Sequence, residues 1–203
     1  MDNFKNIFSE QNRMLSREDK ETQLGQKSHV FWLYGLSGAG KSTLADAVER
    51  ILVENKFHVK LLDGDNLRLG LNKDLGFTNE ARNENIRRAS EVARLFLESG
   101  QVVICSFICP LKEYRYLAES IIGSDDFTKV YVKASFKACA KRDVKGLYAK
   151  SKKGFLQNFT GRDSDFEIPN EKDPDWIIDT ENSKIDESAI EFVNKILPLI
   201  QKK

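Results

Sequence analysis

Three cysteines, no long apolar run and almost no net charge are the scarcities of this chain, and each closes off a class of protein. Cys105, Cys109 and Cys139 are odd in number, and their spacing matches no zinc or haem pattern. They suit a reduced, cytoplasmic protein in which Cys105 and Cys139 are buried filler, since free cysteine is among the most buried residue types. The longest apolar stretches, such as Val102 to Phe107, have the length of a strand and are far too short to span a bilayer. Residues 1–28 are polar and charged, without the apolar core of a secretory signal, and read as an N-terminal polar extension. Lys and Arg number 32 against 31 Asp and Glu, a net charge of +1. No global field therefore draws the chain to nucleic acid or to an anionic membrane, and anion recognition must come from local clusters.

What is present is an alternation. The 203 residues suit one compact domain. Strand-length apolar runs at 29–34, 57–62, 101–107, 128–133 and 176–179 alternate with amphipathic stretches at 41–54, 79–98, 111–122 and 136–142. A last helix, N-capped by Ser183, runs to about Leu197. The alternation predicts an α/β fold: a parallel sheet with helices on both faces, over residues 29–200. Such sheets bind ligands beyond the carboxyl ends of their strands. Between about 143 and 174 the periodicity fails, and a stretch that long reads as a mobile lid.

Gly35-Leu36-Ser37-Gly38-Ala39-Gly40-Lys41-Ser42, followed by Thr43, fits G-x-x-x-x-G-K-[ST] between an apolar strand and a helix. The glycines let the backbone wrap a phosphate, and successive N–H groups form an anion nest at the positive end of the helix. Lys41 reaches the β- and γ-phosphates of ATP, and Ser42 can ligate Mg²⁺. A GTPase should carry N/T-K-x-D after a strand. In Asn72-Lys73-Asp74-Leu75 the acid falls one place early and no strand precedes it. A motor ATPase would end an apolar strand in an acid, whereas the third strand here ends in Ser106-Phe107. The acids stand after the second strand instead, at Asp63 and Asp65, as in a small-metabolite kinase. Two apart in an extended chain, they point the same way. One can serve magnesium, and the other can orient an acceptor hydroxyl for in-line attack.

Arg68, Arg82, Arg87 and Arg88 follow. Arg82 and Asn85 share a helix face, and guanidinium planes suit sulfate or phosphate. For Arg87 and Arg88 a solvated helix face reads equally well. Phe77 suits either stacking on a base or anchoring the core. The segment proposed as a lid carries Arg142, Lys145, Lys150, Lys152, Lys153 and Arg162, with Phe155 and Phe159. It fits either closure over a nucleotide or a disordered basic loop.

The phosphate loop, Leu62-Asp63-Gly64-Asp65-Asn66-Leu67-Arg68, Asp74-Leu75-Gly76-Phe77, Arg82-Asn83-Glu84-Asn85-Ile86-Arg87-Arg88, Lys145-Gly146-Leu147-Tyr148 and Asn158-Phe159-Thr160-Gly161 together resemble the adenylylsulfate kinase family, in order, from about Gln23 to about Ile196. The resemblance implies a P-loop kinase fold with five parallel strands, usually a homodimer. It implies transfer of phosphate from ATP to the ribose 3′-hydroxyl of adenosine 5′-phosphosulfate in sulfate assimilation, with magnesium. It also implies roles for individual residues: Asp65 at the acceptor hydroxyl, Asp63 at the metal, and Arg68, Arg82 and Asn85 on the phosphosulfate and sugar. Phe77 and Phe159 would sandwich the adenine, Ile108, Cys109 and Lys150 would complete that pocket, and Arg142 would lie against the ATP adenine. The family usually has Ile-Ser-Pro where this chain has Ile108-Cys109-Pro110, and that serine has been linked to a phosphoenzyme form. Arg162 stands where a small apolar residue is common. These departures keep a second acceptor in view, another modified nucleotide such as a cytidine diphosphoramidate. A non-catalytic nucleotide-binding subunit is the alternative from a different class.

Overall fold

The computed structural model describes residues 13–143, 146–152, 160, 165–170 and 173–202. Every residue of β1 (His29–Tyr34) is buried. A strand buried on both faces belongs inside a parallel sheet. Accordingly β1 lies between β3 (Val102–Ser106) and β4 (Phe127–Lys133), with β2 (Val59–Asp63) outside β3 and β5 (Trp176–Asp179) outside β4. All four pairings are parallel, giving the expected five-stranded sheet.

Alternation along β1 divides the core. Val30, Trp32 and Tyr34 face α4 (Asn79–Glu98) and α5 (Lys112–Ile122), where they join Ile86, Ala89, Ala93, Leu97, Tyr114 and Ala118. Phe31 and Leu33 face α2 (Lys41–Glu54) and α8 (Ile185–Ile200), where they join Leu44, Val48, Leu52, Phe192 and Ile196. Trp32 stacks on Phe107 with ring centroids 4.8 Å apart, and Phe31 stacks on Trp176 at 5.6 Å. Cys105 and Cys139 are fully buried, one in each core, as expected of filler thiols. The turn into α4 comes from Thr78, whose hydroxyl accepts from Ala81 N at 3.2 Å.

Three local features differ from the sequence reading. Arg17–Leu24, placed in the extension, forms helix α1, with a capping box between Ser16 and Asp19. It is polar but not detached: Arg17 binds both carboxylate oxygens of Asp126, at 2.5 and 2.7 Å, and Gln26 donates to the carbonyls of His58 and Gly100. The chain also turns helical directly after β2, forming α3 (Gly64–Arg68). Finally α8 starts after Lys184 rather than Ser183. Asp179 accepts from the N–H groups of Glu181 and Asn182, which keeps the chain in a turn past the strand. Pro198 lies inside the last turn of α8, which runs on to Ile200. Among the described residues no helix is long and apolar enough to cross a membrane.

His29, at the amino end of β1, is 7% exposed, and its Nε2 lies 2.8 Å from the Thr128 hydroxyl. Burial pushes it down from 6.5 to about 4, against the pull of Asp126 and Asp175 and with a smaller push from Arg17. The unfolded chain therefore takes up the proton first. The stabilisation from neutral His29 is complete above pH 6.5 and is lost as pH falls from 6.5 towards 4, to a limit of about 3 kcal/mol. We expect His29→Gln to flatten the loss of urea-unfolding free energy between pH 7 and pH 4.5. Identical acid limbs in parent and variant would contradict this.

Candidate active site

The carboxyl ends of β1, β2 and β3 open into a cleft of about 700 Å³. At one end is the phosphate loop. Gly38 and Gly40 take φ of +78° and +92°, values that side-chain-bearing residues rarely adopt. Lys41 is buried at the start of α2, and its Nζ donates to the carbonyls of Gly35 and Leu36 at 3.0 and 2.8 Å. Ser37, Gly38, Gly40, Lys41, Ser42 and Thr43 line the cleft, whereas Ala39 is wholly buried and Leu36 packs on the core. Gly35 joins loop to loop, donating its N–H to the Ile108 carbonyl at 3.3 Å.

Asp63 ends β2 and caps α3. One carboxylate oxygen accepts from the N–H groups of Asp65 and Asn66, and the other accepts from the Ser42 hydroxyl at 2.7 Å. Ser106 Oγ, at the end of β3, lies 3.1 Å from Ser42 Oγ. The sequence reading had Asp63 and Asp65 side by side on an extended chain. They do share the cleft, but Asp65 gets there through the first turn of α3. That turn needs a glycine between the acids, because a Cβ on Gly64 would sit 2.9 Å from the Phe107 ring. The oxygens of Ser42 and Asp63 suit a hard divalent cation that keeps waters and phosphate oxygens as its other ligands. Among the described residues, no group of three or more His, Cys, Asp or Glu forms a protein-only metal site.

The far end of the cleft is basic and aromatic. The Arg68 guanidinium lies 4.5 Å from the centroid of Phe77, which is 60% exposed and so no core anchor. Arg68 also donates to the carbonyls of Leu75 and Gly76, at 3.2 and 2.9 Å. Arg82 donates to the Phe77 carbonyl at 3.0 Å and to the Thr160 hydroxyl at 2.8 Å. Burial lowers the pKa of both guanidiniums, and Arg82 further lowers that of Arg68. Arg87 and Arg88 differ. They are ion-paired with Glu84, and Arg88 also with Asp74. Held by these partners, they form the solvated face that was one of the two readings. Glu84 is correspondingly held down at about 2, first by its hydrogen bond from Arg87.

Asn85 is buried in the cleft wall, and its Oδ1 accepts from Asn72 Nδ2 at 3.0 Å. Ile108, Cys109 and Pro110 complete this side. The Cys109 thiol is 2% exposed, and burial pushes its pKa up to about 12. Its backbone takes φ of +42°. Arg115 holds this turn from behind. Buried, with its guanidinium 4.6 Å from the centroid of Tyr34, it donates to the carbonyls of Cys109, Pro110 and Glu167 and pairs with Asp173 at 3.5 Å. Lys112 N donates to the Glu167 carboxylate. Glu167 and Asp173 are thereby tied to the cleft wall.

Of the other expected site residues, Arg142 lines the cleft, with its guanidinium on the carbonyls of Gly38 and Thr180. Lys150 stands exposed on α7 (Leu147–Lys152) and does not line the cleft. Phe159 lies outside the described residues, as do Lys145, Lys153, Phe155 and Arg162. Asn72, Arg115, Tyr148 and Thr180 were assigned no role from the sequence. All four act through main-chain carbonyls or another side chain, and no spacing rule marks such contacts.

A phosphate loop at the carboxyl edge of a 2-3-1-4-5 parallel sheet defines the P-loop class of nucleotide-binding proteins. The family model for adenylylsulphate kinase matches residues 27–179. The chain is 47% identical to the adenylyl-sulfate kinase of Bacteroides thetaiotaomicron over 203 residues, the full length of both. It is 46% identical to that of Phocaeicola vulgatus, over 98% of this chain and 96% of the other. The structure of the Mycobacterium tuberculosis APS kinase CysC in complex with AMPPNP and APS superposes with a TM-score of 0.79, at 43% identity, covering 83% of this chain and 96% of that one. The chain belongs to the adenylylsulphate kinase family.

Proposed function

We propose that the chain is an adenylyl-sulfate kinase, transferring the γ-phosphate of ATP to the ribose 3′-hydroxyl of adenosine 5′-phosphosulfate and releasing ADP and the 3′-phosphorylated product. One observation carries the reading beyond family likeness. A single cleft has an anion nest at one end, two half-buried guanidiniums beside an exposed aromatic at the other, and two carboxylates between them. An acceptor carrying both an anionic group and a base, with a hydroxyl between them and the triphosphate, matches that order.

In this assignment Lys41 and the loop N–H groups hold the β- and γ-phosphates. Asp65 accepts a hydrogen bond from the 3′-hydroxyl and aims its oxygen along the transfer axis. Arg68, Arg82 and Asn85 hold the phosphosulfate and sugar, and Phe77 stacks on the adenine. Ile108 and Cys109 flank the acceptor. Phe159 and Lys150 join the set by resemblance, as does Arg142 at the ATP adenine. Ser42 and Asp63 would hold magnesium, which when bound neutralises charge gathering on the phosphates. Transfer is direct from ATP to the acceptor hydroxyl, with no step assigned to the Cys109 thiol, whose thiolate burial disfavours. A cytoplasmic homodimer is the assembly and location proposed.

Steady-state kinetics test the substrate. Adenosine 5′-phosphosulfate should turn over with a kcat/KM far above that of a cytidine diphosphoramidate, and the reverse order would overturn the assignment. ATP binding with no transfer to either would make this a non-catalytic subunit.

Asp65→Ala should lower kcat by about 100-fold or more while leaving the ATP Kd within about twofold. Near-normal turnover would remove Asp65 from its role.

Asn72 tests how the acceptor is read. Its Nδ2 occupies Asn85 Oδ1, so the Asn85 amide donor is left for the acceptor, while Asn72 Oδ1 is buried without a partner. In Asn72→Asp the ionised side chain can only accept, and Asn85 must turn its NH₂ inward. We expect this to raise the acceptor KM about 10-fold while leaving the ATP KM within about twofold. An unchanged acceptor KM would contradict the arrangement.

A further inference from the structure

The carbonyls of the phosphate loop point at side chains that lie outside it. Tyr148 Oη, on α7, donates to the Ser37 carbonyl at 2.7 Å. Arg142 Nη1, at the end of α6 (Phe136–Arg142), donates to the Gly38 carbonyl at 3.3 Å. Thr180 Oγ1, just past β5, donates to the Ala39 carbonyl at 2.6 Å. Three consecutive carbonyls are thus gripped by three separate elements.

In a trans peptide the N–H of the next residue points opposite to the carbonyl. Fixing the Ser37 carbonyl on Tyr148 therefore turns the Gly38 N–H away from Tyr148. Fixing the Ala39 carbonyl on Thr180 turns the Gly40 N–H away from Thr180. Among the described residues neither N–H meets a protein acceptor, whereas Ala39 N is used within the loop, bonding the Leu36 carbonyl at 3.1 Å. The peptides that keep an N–H for a ligand are the ones clamped from outside by the hydroxyls of Tyr148 and Thr180. Glycines at 38 and 40, with their freedom in φ, would otherwise let these peptides rotate. A glycine-rich loop gains its shape at the expense of rigidity, and donors on its outer rim restore that rigidity without obstructing the phosphate.

The supports are themselves anchored. Thr180 is 8% exposed, its N–H donates to the Lys133 carbonyl at 3.1 Å, and its carbonyl accepts from Arg142 Nη2 at 2.5 Å. Tyr148 is buried, with its ring edge-on to Phe136 at 5.2 Å. Asp143 accepts from the N–H groups of Tyr148 and Ala149, which fixes the start of α7.

We propose that Thr180 and Tyr148 are positioning residues for the phosphates of the nucleotide, acting by holding the peptide planes of the loop. Both also line the cleft, and the role proposed is exerted through the loop carbonyls rather than by contact with phosphate or acceptor. The proposal rests on the reading of this loop as the ATP site, but not on the identity of the acceptor.

Calorimetric titration of Thr180→Val, Tyr148→Phe and Thr180→Ser with ATP and with inorganic tripolyphosphate, both with magnesium, tests it. Thr180→Val and Tyr148→Phe should weaken both ligands by the same factor, about 5- to 10-fold, the loss expected when one hydrogen bond no longer orders a donor. Thr180→Ser keeps the hydroxyl and should stay within about twofold of the parent. The KM for adenosine 5′-phosphosulfate should be unchanged in all three, and their melting temperatures should stay near the parent's. The proposal is overturned if tripolyphosphate binds Thr180→Val and Tyr148→Phe as it binds the parent. It is also overturned if the loss falls equally on the acceptor KM with a lowered melting temperature, since that marks a general loosening of the fold. Absence of turnover in the parent would refute the acceptor assignment and leave the tripolyphosphate comparison valid.

Discussion

A nest for phosphate has to present N–H groups that the protein does not use, and an unused N–H in a flexible loop invites the loop to collapse onto itself. The surroundings of Gly35–Ser42 answer that constraint. β1, buried on both faces, delivers the loop to a fixed point. Lys41 folds back onto the carbonyls of Gly35 and Leu36, and α6, α7 and the end of β5 hold the next three carbonyls. The sheet order matters here. With β1 between β3 and β4, one side of the loop meets the acids and hydroxyl at the ends of β2 and β3, and the other meets the supports that follow β4 and β5. Reactive groups and supporting groups therefore come from opposite halves of the sheet.

Charge is sorted by the same geometry. Arg68, Arg82, Arg87 and Arg88 are close in sequence and identical in type, yet they sit in two kinds of surroundings. Arg87 and Arg88 pair on the exposed face of α4 with Glu84, Asp74 and Glu91. Exposed pairs of this kind contribute little to stability, commonly below about 1 kcal/mol. Arg68 and Arg82 are half-buried against carbonyls, a hydroxyl and a ring, where desolvation disfavours the cation. A fold selected for stability alone would gain by adding a carboxylate beside Arg68. Among the described residues Arg68 is held by two carbonyls and the Phe77 ring rather than by an ion pair, which leaves room for the anion that the proposed acceptor would bring.

The parts of the site that were legible in the sequence are those encoded locally. The loop motif fixes its own geometry, and the regular spacing of Ile86, Ala89, Ala93 and Leu97 located α4 to the residue. Helix α1 escaped notice because polar contacts, Arg17 on Asp126 and Gln26 on two carbonyls, hold it in place rather than an apolar stripe. The two acids were correctly brought together, but for a mistaken local reason: Asp63 caps a helix, and the strand periodicity assumed for Asp65 had already ended. Thr180 and Tyr148 lie 141 and 111 residues from the carbonyls they hold. Nothing in a linear pattern announces a side chain whose partner is a distant main-chain oxygen. Lys150, placed by motif position alone, stands exposed on α7 outside the residues that line the cleft.

The turn at Cys109 shows why one fold can host either a serine or a cysteine there. The strained backbone at φ +42° is held by Arg115, which grips the carbonyls of Cys109 and Pro110 and leaves the side chain alone. The clamp is thus indifferent to what residue 109 carries, and the turn keeps its course beside the acceptor. What changes is chemistry. A nucleophilic cysteine needs a thiolate, which an adjacent cation or a helix N-terminus normally supplies. Here Arg115 does lower the thiol pKa, but desolvation outweighs it and the group settles near 12. A thiol that stays protonated at neutral pH is a poor nucleophile, and it fills space and shapes the cleft wall. In-line transfer between donor and acceptor held in one cleft needs no covalent carrier.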